Sequence, residues 1–250
     1  MPPRTQPYLI QASFRPEVEI PFGEYPFRIP AVRDIAQIVF HPSVTFFVGE
    51  NGSGKSTVLE ALALGLGFGK EGGTRNVRIS TAESVSSLHD SLRLARGAPR
   101  PHDGYFLRAE SFFNVATYMD ETAYLGGYGG KSLHAQSHGE SFMAVLLHKL
   151  EGDGIYLLDE PEAALSPSRQ LAALCAIHNL VQQGSQFIIA THSPILLAYP
   201  HAGIVQFDET GVRAVGYTET DHYRVSRDFL NHYPRRLEQL LAEDEGSERD

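Results

Sequence analysis

The sequence contains a single cysteine, Cys175, in 250 residues. It cannot close an internal disulfide, and a reducing compartment fits. Long hydrophobic runs are also missing. The most apolar stretches, around Val44–Val48, Ile155–Leu158 and Phe187–Ala190, are strand-sized and far short of the ~20 residues that cross a bilayer. The start, Met-Pro-Pro-Arg-Thr-Gln-Pro, is polar and no apolar core follows it, which reads against a secretory leader. A cytoplasmic protein without a membrane segment is the expectation. No internal repeat and no heptad run is present, so neither a solenoid nor a coiled coil is indicated. An excess of positive charge is lacking too: 21 Lys and Arg against 30 Asp and Glu give a net charge of −9, which argues against a generally basic nucleic-acid coat.

What is present is the composition of an ordinary globule, 42% hydrophobic and 20% charged, so wholesale disorder is excluded. The length suits one large α/β domain, or one domain with a small appendage. Charge is unevenly spread. Residues 70–108 carry 7 basic and 4 acidic side chains, whereas residues 109–250 carry 9 and 20. The basic group is Lys70, Arg75, Arg78, Arg93, Arg96, Arg100 and Arg108. It reads either as a solvated helical face or as a phosphate-backbone contact.

Strand and helix patterns alternate along the chain. Prolines 16, 21, 26 and 30 break the first forty residues into short edge or hairpin strands. Buried strands are expected at Val44–Val48, Tyr105–Ala109, Ile155–Leu158 and Phe187–Ala190. Helices are expected at Ser56–Leu66, Ser84–Ala95, Ser141–Leu150 and Ser168–Gln183, the last capped by Gly184. A hairpin is expected at Ile204–Val215 with Glu209-Thr-Gly211 at its turn, followed by one or two short helices before the acidic run Glu243–Asp250. Alternating strands and helices indicate a mostly parallel sheet covered on both faces, with an N-terminal antiparallel portion and an inserted helical segment at about 69–104. Residues 1–205 read as the principal domain and 206–250 as a hairpin and helical tail packed on it. The spacing in Asp221–Leu230 reads as a packing face in preference to a recognition face.

Gly49-Glu-Asn-Gly-Ser-Gly54-Lys55-Ser56 matches G-x-x-x-x-G-K-[ST] in full, between a buried strand and a helix. Glycines 49, 52 and 54 let the backbone curl so that its N–H groups, from Glu50, Asn51 and Ser53 through Thr57, surround an anion at a helix N-terminus. Lys55 then reaches the β- and γ-phosphates, and the Ser56 hydroxyl coordinates Mg²⁺. This pattern reads as a nucleoside-triphosphate site. Ile155-Tyr-Leu-Leu-Asp159-Glu160-Pro161 puts Asp159 at the C-terminal edge of a buried strand, where ligands bind in open α/β sheets. Asp159 can help hold Mg²⁺, and Glu160 can polarise a water for in-line attack. His192, after the strand Phe187–Ala190, can hydrogen-bond the γ-phosphate, or be a histidine merely satisfied at a strand end. His134 and His138 lack a third ligand that would make a zinc site.

These pieces stand in the order used by the ABC-type ATPases, which the chain resembles over roughly residues 27–200. Ser137-His-Gly139-Glu140-Ser141 resembles the signature motif of that class, whose core is Ser-Gly-Gly-Gln/Glu, with His138 replacing a glycine. The same residues also spell an ordinary Ser N-cap with Glu in the first turn. Ala164-Leu165-Ser166 looks like the D-loop without its usual acidic residue. Glu110 stands where the glutamine loop is expected and could contact metal or water, or lie at the surface. Within the class the motifs look most like the SMC-like, DNA-repair and overcoming-lysogenization-defect branch, in a small stand-alone form. About 80 residues separate the glycine-rich loop from the signature, too few for long coiled-coil arms. The resemblance implies ATP and Mg²⁺ as cofactors and hydrolysis of ATP. It also implies a head-to-tail homodimer, with Ser137, Gly139 and Glu140 closing on the partner's nucleotide. A nucleic-acid or protein partner, a transporter's nucleotide-binding subunit, or an ATP-switched binding module remain as readings of the output.

Overall fold

Continuous β-branched and aromatic runs have no polar face to offer water, so they pack at the centre of a sheet covered on both sides. The computed structural model describes residues 6–74, 87–108 and 137–244, and elements are numbered among these. Two sheets are present. The larger has the order β5 (Asp103–Arg108), β6 (Gly154–Asp159), β7 (Gln186–Ala190), β3 (Val44–Val48), β8 (Gly203–Asp208) and β9 (Gly211–Ala214). Strands β5, β6, β7, β3 and β8 are parallel, and β9 returns antiparallel as the expected hairpin. The smaller sheet is antiparallel, in the order β2 (Ile38–Val39), β1 (Leu9–Phe14), β4 (Leu92–Arg96).

The two-residue period of the large sheet sorts its side chains into two cores. Val44, Phe46, Tyr156, Leu158, Phe187 and Ile189 face one core, closed by α4 (His138–Ala144), the π-type turn Val145–Lys149 that continues it, and α5 (Pro167–Gln182). Phe47, Ile155, Leu157, Ile188 and Phe207 face the other, closed by α2 (Lys55–Leu66) and the small sheet. The short helices α1 (Pro30–Arg33) and α3 (Leu88–Ser91) pack into this second core through Ala31, Val32 and Leu88. The central strands β3, β6 and β7 are buried along their whole length.

Three expectations differ from the structure. The helix expected at Ser84–Ala95 is confined to α3, and residues 92–96 form β4 instead. Leu92-Arg-Leu-Ala-Arg96 pairs with β1, Phe14 opposite Leu92 and Ala12 opposite Leu94, so tertiary pairing overrides local helix propensity. The basic residues here therefore do not form a solvated helical face. Arg96 donates to the carbonyl of Gly65 at 2.8 Å and Arg108 to Glu60 at 2.7 Å. The tail, expected as one or two short helices, is α6 (Asp221–Asp244), two helical segments joined at a kink at His232 just before Pro234. Its apolar side chains are not a packing face: Val225 is 67% exposed and Leu230 73%. Arg75, Arg78, Glu110 and His134 lie outside the described residues.

Candidate active site

Because β6, β7 and β3 are neighbours and parallel, their C-terminal ends deliver three segments to one edge of the sheet. From β3 comes the loop 49–54, which turns into the first residue of α2, Lys55. Gly49 has φ +147°, and a Cβ there would run into the carbonyl oxygen of Phe207 on β8. The loop approaches that strand too closely for any side chain. Lys55 is 4% exposed, and its Nζ donates to the carbonyls of Gly49 and Glu50, both at 2.8 Å. Burial lowers its proton affinity, while Glu160, Asp159 and Glu162 pull it back up. Asn51 and Ser53 line the space beside the loop, and Thr57 Oγ1 lies 3.4 Å from the hydroxyl of Tyr25.

From β6 comes Asp159, buried, whose Oδ1 accepts from the Ser56 hydroxyl at 2.9 Å. A hydroxyl and a carboxylate oxygen converging in this way are hard donors that suit Mg²⁺, which takes few protein ligands and fills its octahedron with phosphate and water. Arg108 Nε stands 3.9 Å from the other oxygen of Asp159. Glu160 follows in the left-handed region, φ +49° and ψ +52°, a conformation that is strained for a residue other than glycine. Its N–H donates to the Ala190 carbonyl at 2.9 Å, locking the end of β6 onto β7, and its side chain is 43% exposed, within reach of solvent.

From β7 comes Thr191-His192. The Thr191 hydroxyl donates to Glu162 Oε2 at 2.7 Å, and the His192 backbone N–H donates to Glu162 Oε1. His192 Nε2 lies 3.8 Å from Glu160 Oε1. Its Nδ1 lies 3.0 Å from Nε2 of His222 on the first turn of α6. Burial and the Lys55 ammonium lower the proton affinity of His192, while Glu160 and Glu162 raise it. His222 is likewise lowered, by burial, His192 and Lys55. A cavity of about 590 Å³ opens between the loop residues Gly49, Glu50 and Asn51 and the pair His192 and His222.

Lys55, Ser56, Asp159, Glu160 and His192 thus meet in one place. Ser137, Gly139 and Glu140 form a second group. Ser137 caps α4, its Oγ accepting from the Glu140 N–H at 3.4 Å while Glu140 Oε2 accepts from the Ser137 N–H at 2.9 Å. The ordinary capping box is therefore formed. It is extended by Arg169, which donates to Ser137 Oγ at 3.2 Å and to Glu140 Oε1 at 3.3 Å. Glu140 is held below the usual carboxylate range, chiefly by the Ser137 N–H and hydroxyl. A Cβ on Gly139 would stand 2.7 Å from the Ala164 carbonyl, so this group is seated on the segment Ala164–Ser166. Among the described residues no cluster of three or more His, Cys, Asp or Glu could hold a metal.

Three participants escape a reading of the sequence: Glu162, Arg108 and His222. Glu162 has a weak signal, as the second acid of Asp-Glu-Pro-Glu. The other two have none that is local.

The family model described as an AAA domain matches residues 26–106. A second AAA-domain model, whose description also names AbiEii and a type IV toxin–antitoxin system, matches residues 137–198. Between them they take in the glycine-rich loop, the signature group, Asp159-Glu160 and His192. The chain is similar to the AAA-type ATPase domains over these two stretches. It is also similar to the macrolide export ATP-binding/permease protein MacB of Neisseria meningitidis, 25% identical over 203 residues, covering 71% of this chain and 30% of that protein. It is also similar to the hemin import ATP-binding protein HmuV of Pseudomonas aeruginosa, 28% identical over 170 residues, covering 60% of this chain and 67% of that protein. The chain therefore spans less than a third of the length of the first of these relatives. Among solved structures it is similar to the SMC head domain from Thermotoga maritima, with 14% identity, a TM-score of 0.44, and 83% of this chain and 98% of that one covered. It is similar also to an ATP-binding cassette of an ABC transporter in its ADP conformation, with 17% identity, a TM-score of 0.43, and 71% and 82% covered. No helix among the described residues is long and apolar enough to cross a membrane.

Proposed function

We propose that the chain binds ATP with Mg²⁺ and hydrolyses it as a head-to-tail homodimer, whose closing and opening serve DNA or RNA maintenance or defence. The observation that carries the catalytic part is the meeting of Lys55, the Ser56–Asp159 pair, Glu160 and His192 at one strand edge. In this reading the Lys55 ammonium exchanges the carbonyls of Gly49 and Glu50 for β- and γ-phosphate oxygens. Glu160 accepts a proton from the attacking water, its half-exposed carboxylate being free to reach one. His192 donates from Nε2 to a γ-phosphate oxygen. Ser56 and Asp159 would hold Mg²⁺, which when bound neutralises charge on the phosphates. Ser137, Gly139 and Glu140, seated apart on Ala164–Ser166, serve the nucleotide held by the second copy. ATP drives closure to the extent that it binds the closed dimer better than the open chains.

Steady-state hydrolysis at low salt tests this, with and without duplex DNA, single-stranded DNA and RNA. Glu160→Gln is expected to slow turnover by roughly 10²-fold or more while ATP still binds; unchanged turnover refutes the assignment. Stimulation by nucleic acid that disappears at high salt supports the maintenance or defence role. A second reading, the nucleotide-binding subunit of a transporter, is favoured by both relatives, a macrolide export ATP-binding/permease protein and a hemin import ATP-binding protein. Indifference to nucleic acid together with co-purification of a permease would select it.

A further inference from the structure

We infer that His222, from the tail helix, is a positioning residue for His192: its Nε2–H donates to His192 Nδ1 and thereby holds His192 as the tautomer that carries its proton on Nε2. The inference deepens the hydrolysis reading and rests on it, since that reading gives His192 a γ-phosphate oxygen to bind. Two neutral imidazoles joined Nδ1 to Nε2 at 3.0 Å share one proton on that line, and which ring owns it sets the other nitrogen of each. Burial and the nearby Lys55 ammonium favour the neutral form of both rings.

The surroundings decide the direction. Glu160 Oε1 lies 3.8 Å from His192 Nε2, so a lone pair there would face a carboxylate, whereas an N–H is attracted to it. The outward nitrogens, His192 Nε2 and His222 Nδ1, are both buried and have no hydrogen-bond partner among the described residues. The opposite assignment would leave a buried N–H on His222 unsatisfied and turn an acceptor toward both Glu160 and the phosphate. In the assignment inferred here the donor faces the anions and the unpaired atom is a bare ring nitrogen.

His222 is well placed for this task. The turn preceding α6 is tied to the segment that follows His192 by the Tyr217 hydroxyl, which donates to the Pro194 carbonyl at 2.9 Å. Thr220 caps the first turn of the helix, its Oγ1 accepting from the Tyr223 N–H at 3.3 Å. The rings of Tyr217 and Tyr223 pack with centroids 4.7 Å apart. The tail thus borders the site through its first turns, Asp221, His222, Val225 and Ser226, while most of its length faces solvent.

The test combines spectroscopy and kinetics on the full chain. Long-range ¹H–¹⁵N spectra of histidine-labelled protein at neutral pH report the tautomer of each ring, with His192→Gln and His222→Gln assigning the signals. His192 is expected as the Nε2–H form in the wild type and in His222→Gln, whose amide can still donate, and as a mixture in His222→Phe. In steady state, His222→Phe is expected to lower kcat roughly tenfold or more, as for a misdirected transition-state donor, with KM for ATP within about threefold. His222→Gln should recover most of that loss, and adding His222→Phe to His192→Ala should cost nothing further. An Nδ1–H form of His192 in the wild type overturns the inference. Equal losses in the Gln and Phe variants overturn it as well, because packing alone would then explain them. If instead wild-type turnover is absent or indifferent to His192→Ala, the hydrolysis reading fails and with it the catalytic role. The spectrum still decides the hydrogen bond between the rings.

Discussion

Replacing Lys55 with alanine isolates what the buried ammonium contributes to nucleotide binding. In the free protein Nζ donates to two carbonyls at 2.8 Å, so ATP competes with partners already made. Those bonds, from a charged donor, are worth about 1.5 kcal/mol each at the low end. Against them stand equivalent bonds to phosphate and an ion–ion attraction of about 4 kcal/mol at 4 Å with an effective dielectric near 20. The bonds lost and gained nearly cancel and the charge attraction remains, reduced because Glu160, Asp159 and Glu162 already share the Lys55 field. A net contribution of about 2–4 kcal/mol follows, or roughly 30- to 700-fold in Kd at ~1.4 kcal/mol per tenfold. Stability should change little. Removing a buried cation relieves its desolvation, and Gly49 and Glu50, which carry the two orphaned carbonyls, line a cavity of about 590 Å³ that can supply water. Titration calorimetry with ATP and Mg²⁺, accompanied by thermal denaturation, measures both quantities. A Kd within threefold of wild type in a variant that melts normally would refute the placement of Lys55 against the phosphates.

Gly49→Ala and Gly52→Ala separate steric exclusion from backbone strain. Both glycines have positive φ, but a Cβ on Gly49 meets Phe207 backbone whereas one on Gly52 meets nothing within 4 Å. Strain costs about 1–3 kcal/mol at either site; only Gly49→Ala should in addition displace the loop and abolish nucleotide binding, and equal binding by the two variants would contradict the close-packing argument. Acid sensitivity follows from His192 and His222, whose proton affinities lie below the ordinary value of 6.5. Between that value and their lowered ones the unfolded chain binds more protons than the folded one, so stability rises with pH through this window, levels off above about 6.5, and falls on acidification. Lys55, Glu160, Glu162 and Asp221 are the charged groups that face the pair. The melting temperature of His192→Gln/His222→Gln should therefore drop less between pH 7.5 and 5.5 than that of the wild type; an identical drop would place the acid sensitivity elsewhere.

The parts of the site that could be read in the sequence are those whose chemistry is contiguous. A buried strand, a curled glycine loop and a helix N-terminus follow one another within residues 44–66, and the strand ending in Asp159-Glu160 is legible from four apolar residues and two acids. What could not be read depends on strand order and register. The helical expectation for residues 84–95 failed because the alternation Leu92-Arg-Leu-Ala-Arg96 has meaning only beside β1, nearly eighty residues away. Glu162 looks like an exposed acid after a proline. Its role arises because Asp159 pairs in register with Ala190, which brings the turn after one strand alongside the turn after the next. The Glu162 carboxylate then accepts from both the Thr191 hydroxyl and the His192 N–H. His222 requires a further step, since the return of β8 and β9 must bring the tail back over the end of β7 before two histidines thirty residues apart can share a proton. Each strand crossing thus adds a residue that no local pattern marks, and these residues, unlike the glycine-rich loop, reach the candidate site only through the fold.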